Sequence, residues 1–113
     1  MNNCIFCKIA KREIPATLVF QNEDVVAFSD ISPQAPVHVL VVPTQHIPSL
    51  LDKAASEPVL LNKVFTAIQK IAENEKLEEG FRVVINCGEN GGQTVGHLHF
   101  HVLGKRRMVW PPG

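Results

Sequence analysis

Three of the chain's five histidines fall at alternate positions in GHLHFHVLG, residues 96–104, where Leu98, Phe100 and Val102 each follow one of them. A neutral imidazole carries one N–H donor and one lone pair, so it can ligate a metal, move a proton or attack an electrophile. A spacing of two is the period of a β-strand. An extended segment therefore puts His97, His99 and His101 on one face, roughly 7 Å apart along the backbone, and the apolar trio on the other. Three readings of that face compete. It is a solvated polar surface, a metal site using all three rings, or a nucleophile with two helpers. Strict alternation makes the first a poor account, and three ligands from one strand struggle to surround an ion tetrahedrally. In the third, a neutral ring attacks phosphorus and divides one hard displacement into two easier ones. Its neighbours then orient it, bind phosphate oxygens and manage the leaving group's proton.

The segment before the histidines favours that third reading. In CGENGGQTVG, Gly91 and Gly92 permit positive φ and close backbone approach, so amides here can form an anion-binding nest, with Asn86, Gln93 and Thr94 as neutral donors. No GxxxxGK[ST] run is present, so this is not a P-loop. A further histidine, His38, lies in VHVLVV and shares a strand face with Leu40 and Val42, opposite Val37, Val39 and Val41. If the two strands are neighbours in register, His38 joins the histidine face.

Several elements must position these groups. Ile5, Phe6 and Ile9 have helical spacing, which predicts a short N-terminal helix stopped before Pro15. TLVFQ and VVAFSD read as strands of a hairpin turning at Asn22–Asp24, and VHVLVVP as a central strand ended by Pro43. Ser56 reads as an N-cap with Pro58 close behind, and Leu60, Leu61, Val64, Ile68, Ile71 and Ala72 then repeat at helical spacing to about Asn74. FRVVIN and HLHFHVL are the remaining strands, and the tail KRRMVWPPG has no regular structure. The expected fold class is α+β: an antiparallel sheet of about five strands, one long helix and one short N-terminal helix.

At 113 residues the chain forms one domain, 1–113. No apolar stretch approaches the roughly 18 residues of a membrane span. Lys8, Lys11 and Arg12 lie within or after the first apolar residues, which is not the order of a secretory signal, so a cytoplasmic location is expected. Eleven basic and eleven acidic residues cancel, which argues against a nucleic-acid partner, and the short KRR at 105–107 reads as a solvated turn. Cys4 and Cys7 form a C-x-x-C pair: a redox pair, two buried thiols or two metal ligands. The thioredoxin-like βαβ context of a redox pair is missing, and Cys87 has no assigned role.

GHLHFHVL matches a His-x-His-x-His-x-x pattern with apolar x. Together with IFCKIAKREIPA, AFSDISPQAPVHVLVVP, GFRVVIN, GGQTVGHLHFHVLG and WPPG, it makes nearly the whole chain resemble the histidine-triad (HIT) superfamily, and within it the Hint branch. The resemblance implies hydrolysis of purine nucleoside 5'-phosphoramidates and related adenylates to the nucleoside monophosphate through a nucleotidyl-histidine. It implies that His99 is the nucleophile and that His101, His38 and Thr94 assist. It implies that Asp30 holds the ribose and that Ile31, with Ile5, Phe6, Ile9, Ile14, Phe28 and Leu40, forms a slot for the base. Asn86, Gly92, Gln93, Thr94 and His101 match the phosphate side.

Thr94 stands where the branch commonly has serine, and Gly96 replaces a bulkier residue; both leave the leaving group open. The resemblance further implies a structural zinc on Cys4, Cys7, His46 and His97, with no catalytic cofactor. It also implies a homodimer built on the long helix and the triad-side strands, the C-terminal tail reaching the partner's site. A Fhit-like hydrolase of dinucleoside polyphosphates and a nucleotide-binding module with weak turnover stand as alternatives. A galactose-1-phosphate-type nucleotidyltransferase is disfavoured, because its triad ends in glutamine where this chain has Val102 and Leu103.

Overall fold

Alternating apolar residues along three strands build two separate cores, one on each face of a single sheet. A computed structural model, describing residues 3–113, gives the order α1 (Ile5–Ala10), β1 (Leu18–Gln21), β2 (Val25–Ser29), β3 (Val37–Pro43), α2 (Pro58–Asn74), β4 (Phe81–Val84) and β5 (Phe100–Gly104), with a 3₁₀ turn at Lys53–Ser56. The strands lie in the order β1-β2-β3-β5-β4 and every neighbouring pair is antiparallel. The last strand in sequence thus enters between β3 and β4. This is the expected α+β architecture.

On one face Val39, Val41, Leu98, Phe100 and Val102 pack with Val64, Ala67, Ile68 and Ile71 of α2. An isolated helix of 17 residues is marginal in water. Burying Val64, Ile68 and Ile71, each worth roughly 1.5–3 kcal/mol, decides in its favour. On the other face Phe6 and Ile9 of α1 cover Val26, Phe28, Leu40 and Val42. This second face also carries the histidines, so α1 acts as the wall beside them. The hairpin turn forms where expected, because the Asn22 side-chain oxygen accepts from the amides of Asp24 and Val25.

Three local expectations need correction. The N-cap of α2 is Glu57 rather than Ser56: the Glu57 carboxylate accepts from the Leu60 amide at 2.8 Å, while the Ser56 hydroxyl donates to the Lys53 carbonyl inside the preceding turn. β4 stops at Val84, short of the asparagine in FRVVIN. β5 begins at Phe100, so His97 and His99 precede the strand. The ladder ends there because β3 ends at Pro43, which has no N–H to give, and the Pro43 carbonyl is taken by the His97 ring at 2.8 Å. Leu98 instead donates its amide to the Ile47 carbonyl. The side chains still alternate: Leu98, Phe100 and Val102 face α2 and the histidines face away.

Candidate active site and metal centre

Each histidine on this face has one ring nitrogen committed by geometry, and the partner decides where the proton sits. His99 Nδ1 lies 2.7 Å from the His97 carbonyl oxygen. A carbonyl can only accept, so Nδ1 carries the hydrogen and Nε2 keeps a bare lone pair. Among the described residues that Nε2 has no hydrogen-bond partner. Phe6 packs edge-on against the same ring, centroids 5.1 Å apart, and limits its swing.

His101 and His38 form a second unit. Register places Leu40 opposite His101 and Leu103 opposite His38, so the two histidines meet on the diagonal across β3 and β5. The Gln34 amide donates to His38 Nδ1 at 3.0 Å, which leaves the His38 proton on Nε2. From there it is donated to His101 Nδ1 at 2.9 Å, with Asp30 Oδ2 at 3.4 Å. His101 is therefore protonated on Nε2. Burial, then the neighbouring His99 and His38, push its pKa down to about 4, so at neutral pH it is an uncharged N–H donor. Burial lowers His38 as well, partly opposed by the Asp30 carboxylate.

The His99 and His101 rings lie at the polar end of a cleft of about 840 Å³, a volume suited to a small organic ligand, and His38 stands behind His101 outside its lining. Asp30, Thr94, His99 and His101 line that end. Ile5, Phe6, Ile9, Ile14, Phe28 and Leu40 line the apolar remainder, with the fully exposed Ile31 at its rim. All seven apolar residues singled out in the sequence are brought together here. Asp30 has divided duty: Oδ1 accepts from the Ser32 amide at 2.8 Å and so caps the following turn, while Oδ2 lies towards His38.

The glycine-rich loop differs from the expected anion nest. Gly92, at φ +82°, donates its amide to the Glu89 carbonyl, and Gln93 donates its own to Gly88, so both amides are spent within the turn. The Gln93 side chain is a staple as well, donating to the Pro48 and Val95 carbonyls and accepting from the Gly88 amide. Gly91 is required by close approach: a Cβ there would meet the Cys87 carbonyl oxygen at 2.4 Å. Asn86, Gly92 and Gln93 line no part of the cleft, whereas Thr94 does. Sequence reasoning missed Pro15, Ala16, Thr17 and Ser29 along the apolar cleft, and Gln34 behind His38. No local pattern marks these residues; they meet the site only through the fold.

Beside the cleft, Cys4, Cys7, His46 and His97 bring four ligand atoms within 4.8 Å of one another. His97 Nε2 donates to the Pro43 carbonyl, so its Nδ1 lone pair is aimed at the group: 3.3 Å from Cys4 Sγ, 3.5 Å from Cys7 Sγ and 3.2 Å from His46 Nδ1. Cys7 Sγ lies 3.2 Å from His46 Nδ1. A tetrahedral zinc with two thiolates and two imidazoles has ligand-to-ligand edges of roughly 3.3–3.8 Å. The four residues fit such an ion, and the His97–Pro43 hydrogen bond is the outer contact that would fix the ligand tautomer. Burial raises the Cys4 thiol above its ordinary value, partly opposed by the Cys7 amide; a divalent cation at the centre would hold the sulfur as thiolate.

Residues 11–108 match the model of the HIT domain. The chain is 51% identical over 109 residues to an uncharacterised HIT-like protein of Synechococcus elongatus, covering 96% of each. It is 46% identical over 104 residues to Protein HitA of Neisseria gonorrhoeae, covering 92% of this chain and 97% of that one. The crystal structure of a HIT family hydrolase from Legionella pneumophila superposes with a TM-score of 0.94 at 48% identity, over 98% of this chain and all of that one. A histidine triad nucleotide-binding protein from Candida albicans superposes with a TM-score of 0.85 at 32% identity, over 96% and 83%. An α+β sheet with a histidine face under a short helix, matched to this model over most of its length, defines a histidine-triad protein. The chain belongs to the HIT family.

Proposed function

We propose that the cleft hydrolyses purine nucleoside 5'-phosphoramidates and related adenylates, AMP or GMP being the part retained, as in the Hint branch. The observation that carries this reading is the His99–His97 carbonyl contact, which leaves Nε2 unprotonated at the polar end of the cleft. His99 Nε2 attacks the phosphorus, its lone pair forming the P–N bond while the P–N bond to the leaving amine breaks. The Nδ1–H···O=C contact stabilises the positive charge that develops on the ring. His101 donates a hydrogen bond from Nε2 to a phosphate oxygen, and the Thr94 hydroxyl assists. The nitrogen of the phosphoramidate takes a proton from solvent as its bond to phosphorus breaks, so that it leaves as the amine. Water then attacks the phosphorus as the bond to His99 Nε2 breaks; the water's proton is lost to solvent, the nucleoside monophosphate is released and neutral His99 is restored. Asp30 Oδ2 accepts from the ribose hydroxyls, and the apolar end, Ile31 included, takes the base.

Gly92 and Gln93 serve the phosphate side by holding the loop that presents Thr94. Cys4, Cys7, His46 and His97 would hold a structural zinc, which when bound cross-links α1 to the segment carrying the triad. We also propose a homodimer: Val59 and Phe65 on α2, Phe81 and Val83 on β4, and Trp110 are large apolar side chains left exposed.

The assay compares turnover of an adenosine phosphoramidate with that of a diadenosine polyphosphate. Faster turnover of the phosphoramidate, abolished in His99→Asn, is the expected result. Preference for the polyphosphate would replace the substrate assignment, and tight binding of the monophosphate without turnover would make the protein a binding module.

A further inference from the structure

The basic turn after β5 sits against the loop behind His38, where its charge alone explains nothing. Arg106 Nε donates to the Gln34 carbonyl at 2.9 Å, and Arg106 Nη1 donates to the Arg107 carbonyl at 3.3 Å. Gln34 is thereby held from one side while its amide points to His38 Nδ1 at 3.0 Å. Its side chain donates to the Ser32 carbonyl at 3.0 Å, which ties the loop to itself.

We propose that Arg106, acting through Gln34, is a positioning residue that selects the tautomer of His38 and through it the proton arrangement of His101. The proposal rests on the reading that His101 arrives at the substrate as a donor. His38 has two neutral forms, and they set opposite directions for the chain of hydrogen bonds. With the hydrogen on Nε2, His38 donates to His101 Nδ1, and His101 must carry its own hydrogen on Nε2. With the hydrogen on Nδ1, His38 would oppose the Gln34 amide, donor against donor. Its bare Nε2 would then lie 3.4 Å from the Asp30 carboxylate, lone pair against anion. His101 would have to donate from Nδ1, leaving a bare Nε2 that repels a phosphate oxygen instead of binding it.

The amide and the carboxylate thus favour the same form, and the amide keeps its place only while the loop does. Residues 31–34 of that loop are exposed and the flanking Pro33 and Pro36 have no N–H to give, so the Arg106 contact is a tie the loop does not supply for itself. Arg106 does not line the cleft. It acts on the proton inventory of a histidine at the far end of two hydrogen bonds.

Long-range nitrogen–proton NMR of the imidazoles at neutral pH reads the tautomers directly, alongside kcat and KM for Arg106→Ala, Arg106→Lys and Gln34→Pro. The wild-type protein should show both His38 and His101 protonated on Nε2. Arg106→Ala should add a second His38 form and lower kcat about five-fold with KM within about two-fold, as expected for one solvent-exposed hydrogen bond. Arg106→Lys, whose ammonium can donate to the same carbonyl, should restore both readouts. Gln34→Pro removes the N–H itself and should give the larger loss. Should that variant not fold, the Arg106 pair decides. A wild-type His38 protonated on Nδ1, or an Arg106→Ala protein with unchanged tautomers and kcat, would overturn the relay. Failure of the wild type to turn over the phosphoramidate would sink the substrate reading instead, and the tautomer comparison would still judge the relay.

Discussion

A carbonyl oxygen and an imidazole nitrogen 2.7 Å apart allow His99 one placement of its proton, and the chemistry of the cleft depends on that placement. His101, with the same side chain two residues away, receives the opposite arrangement at Nδ1 because its neighbour there is a donor. Identity of residue type therefore says little about role on this face; the partner atom decides. His99→Asn should lower kcat by at least about 10⁴-fold in a phosphoramidase assay, since no other unprotonated nitrogen is aimed into the cleft among the described residues. Asp30→Asn should act on binding instead. A neutral amide accepts more weakly from ribose hydroxyls, so KM should rise about ten-fold while kcat falls less. The types and spacing of these residues were readable from the sequence, His38 included, because strand alternation carries them. The proton positions were not, since they depend on Pro43, Gln34 and the His97 carbonyl, which reach the rings only after folding.

Among the elements, α1 and the loop at 86–96 do most to set the site. α1 carries Cys4 and Cys7 at its start and Phe6 between them, so one short turn contributes two ligand atoms and the ring that packs on both His97 and His99. Cys7→Ser should abolish stoichiometric zinc in protein prepared without chelator. It should also lower Tm by several degrees, because the link between α1 and the triad segment is lost. Gly91→Ala should destabilise the fold by about 2 kcal/mol in urea titration, as the new methyl is driven into the Cys87 carbonyl. The faces followed from the apolar patterns of VHVLVV and HFHVL, whereas the strand order, with β5 between β3 and β4, came only with the fold. The strand ends did not follow from pattern either. Pattern alone extends HLHFHVL into a strand from its first residue, whereas the missing N–H of Pro43 and the demand of His97 on its carbonyl end the ladder at Phe100. Likewise Ser56 has the right type for a cap, but Glu57 is the residue whose carboxylate reaches the Leu60 amide.

For the molecule as a whole, burying uncharged histidines makes the fold sensitive to acid. His101 has a folded pKa of about 4 against an ordinary value of 6.5, and His38 is lowered too. Between those values the unfolded chain binds more protons than the folded one, so stability rises with pH there. It is fully present above about pH 6.5 and is lost progressively as pH falls towards 4. Tm measured across that window should decrease on acidification, with a shallower slope in His101→Asn. The exposed apolar side chains of α2 and β4 give a second test at this scale: sedimentation should find a dimer, and Phe65→Lys should shift it towards monomer. The two faces of one thin sheet are thus covered by different helices, α2 over one apolar core and α1 beside the histidines.

The most direct test of this account is rapid-quench mass spectrometry of the wild-type protein during turnover of a purine nucleoside phosphoramidate. The peptide containing residues 97–101 should gain the mass of one nucleoside monophosphoryl group, mapped to His99 and absent from His99→Asn. Sustained turnover with no such adduct, or an adduct mapped to His101, would contradict it.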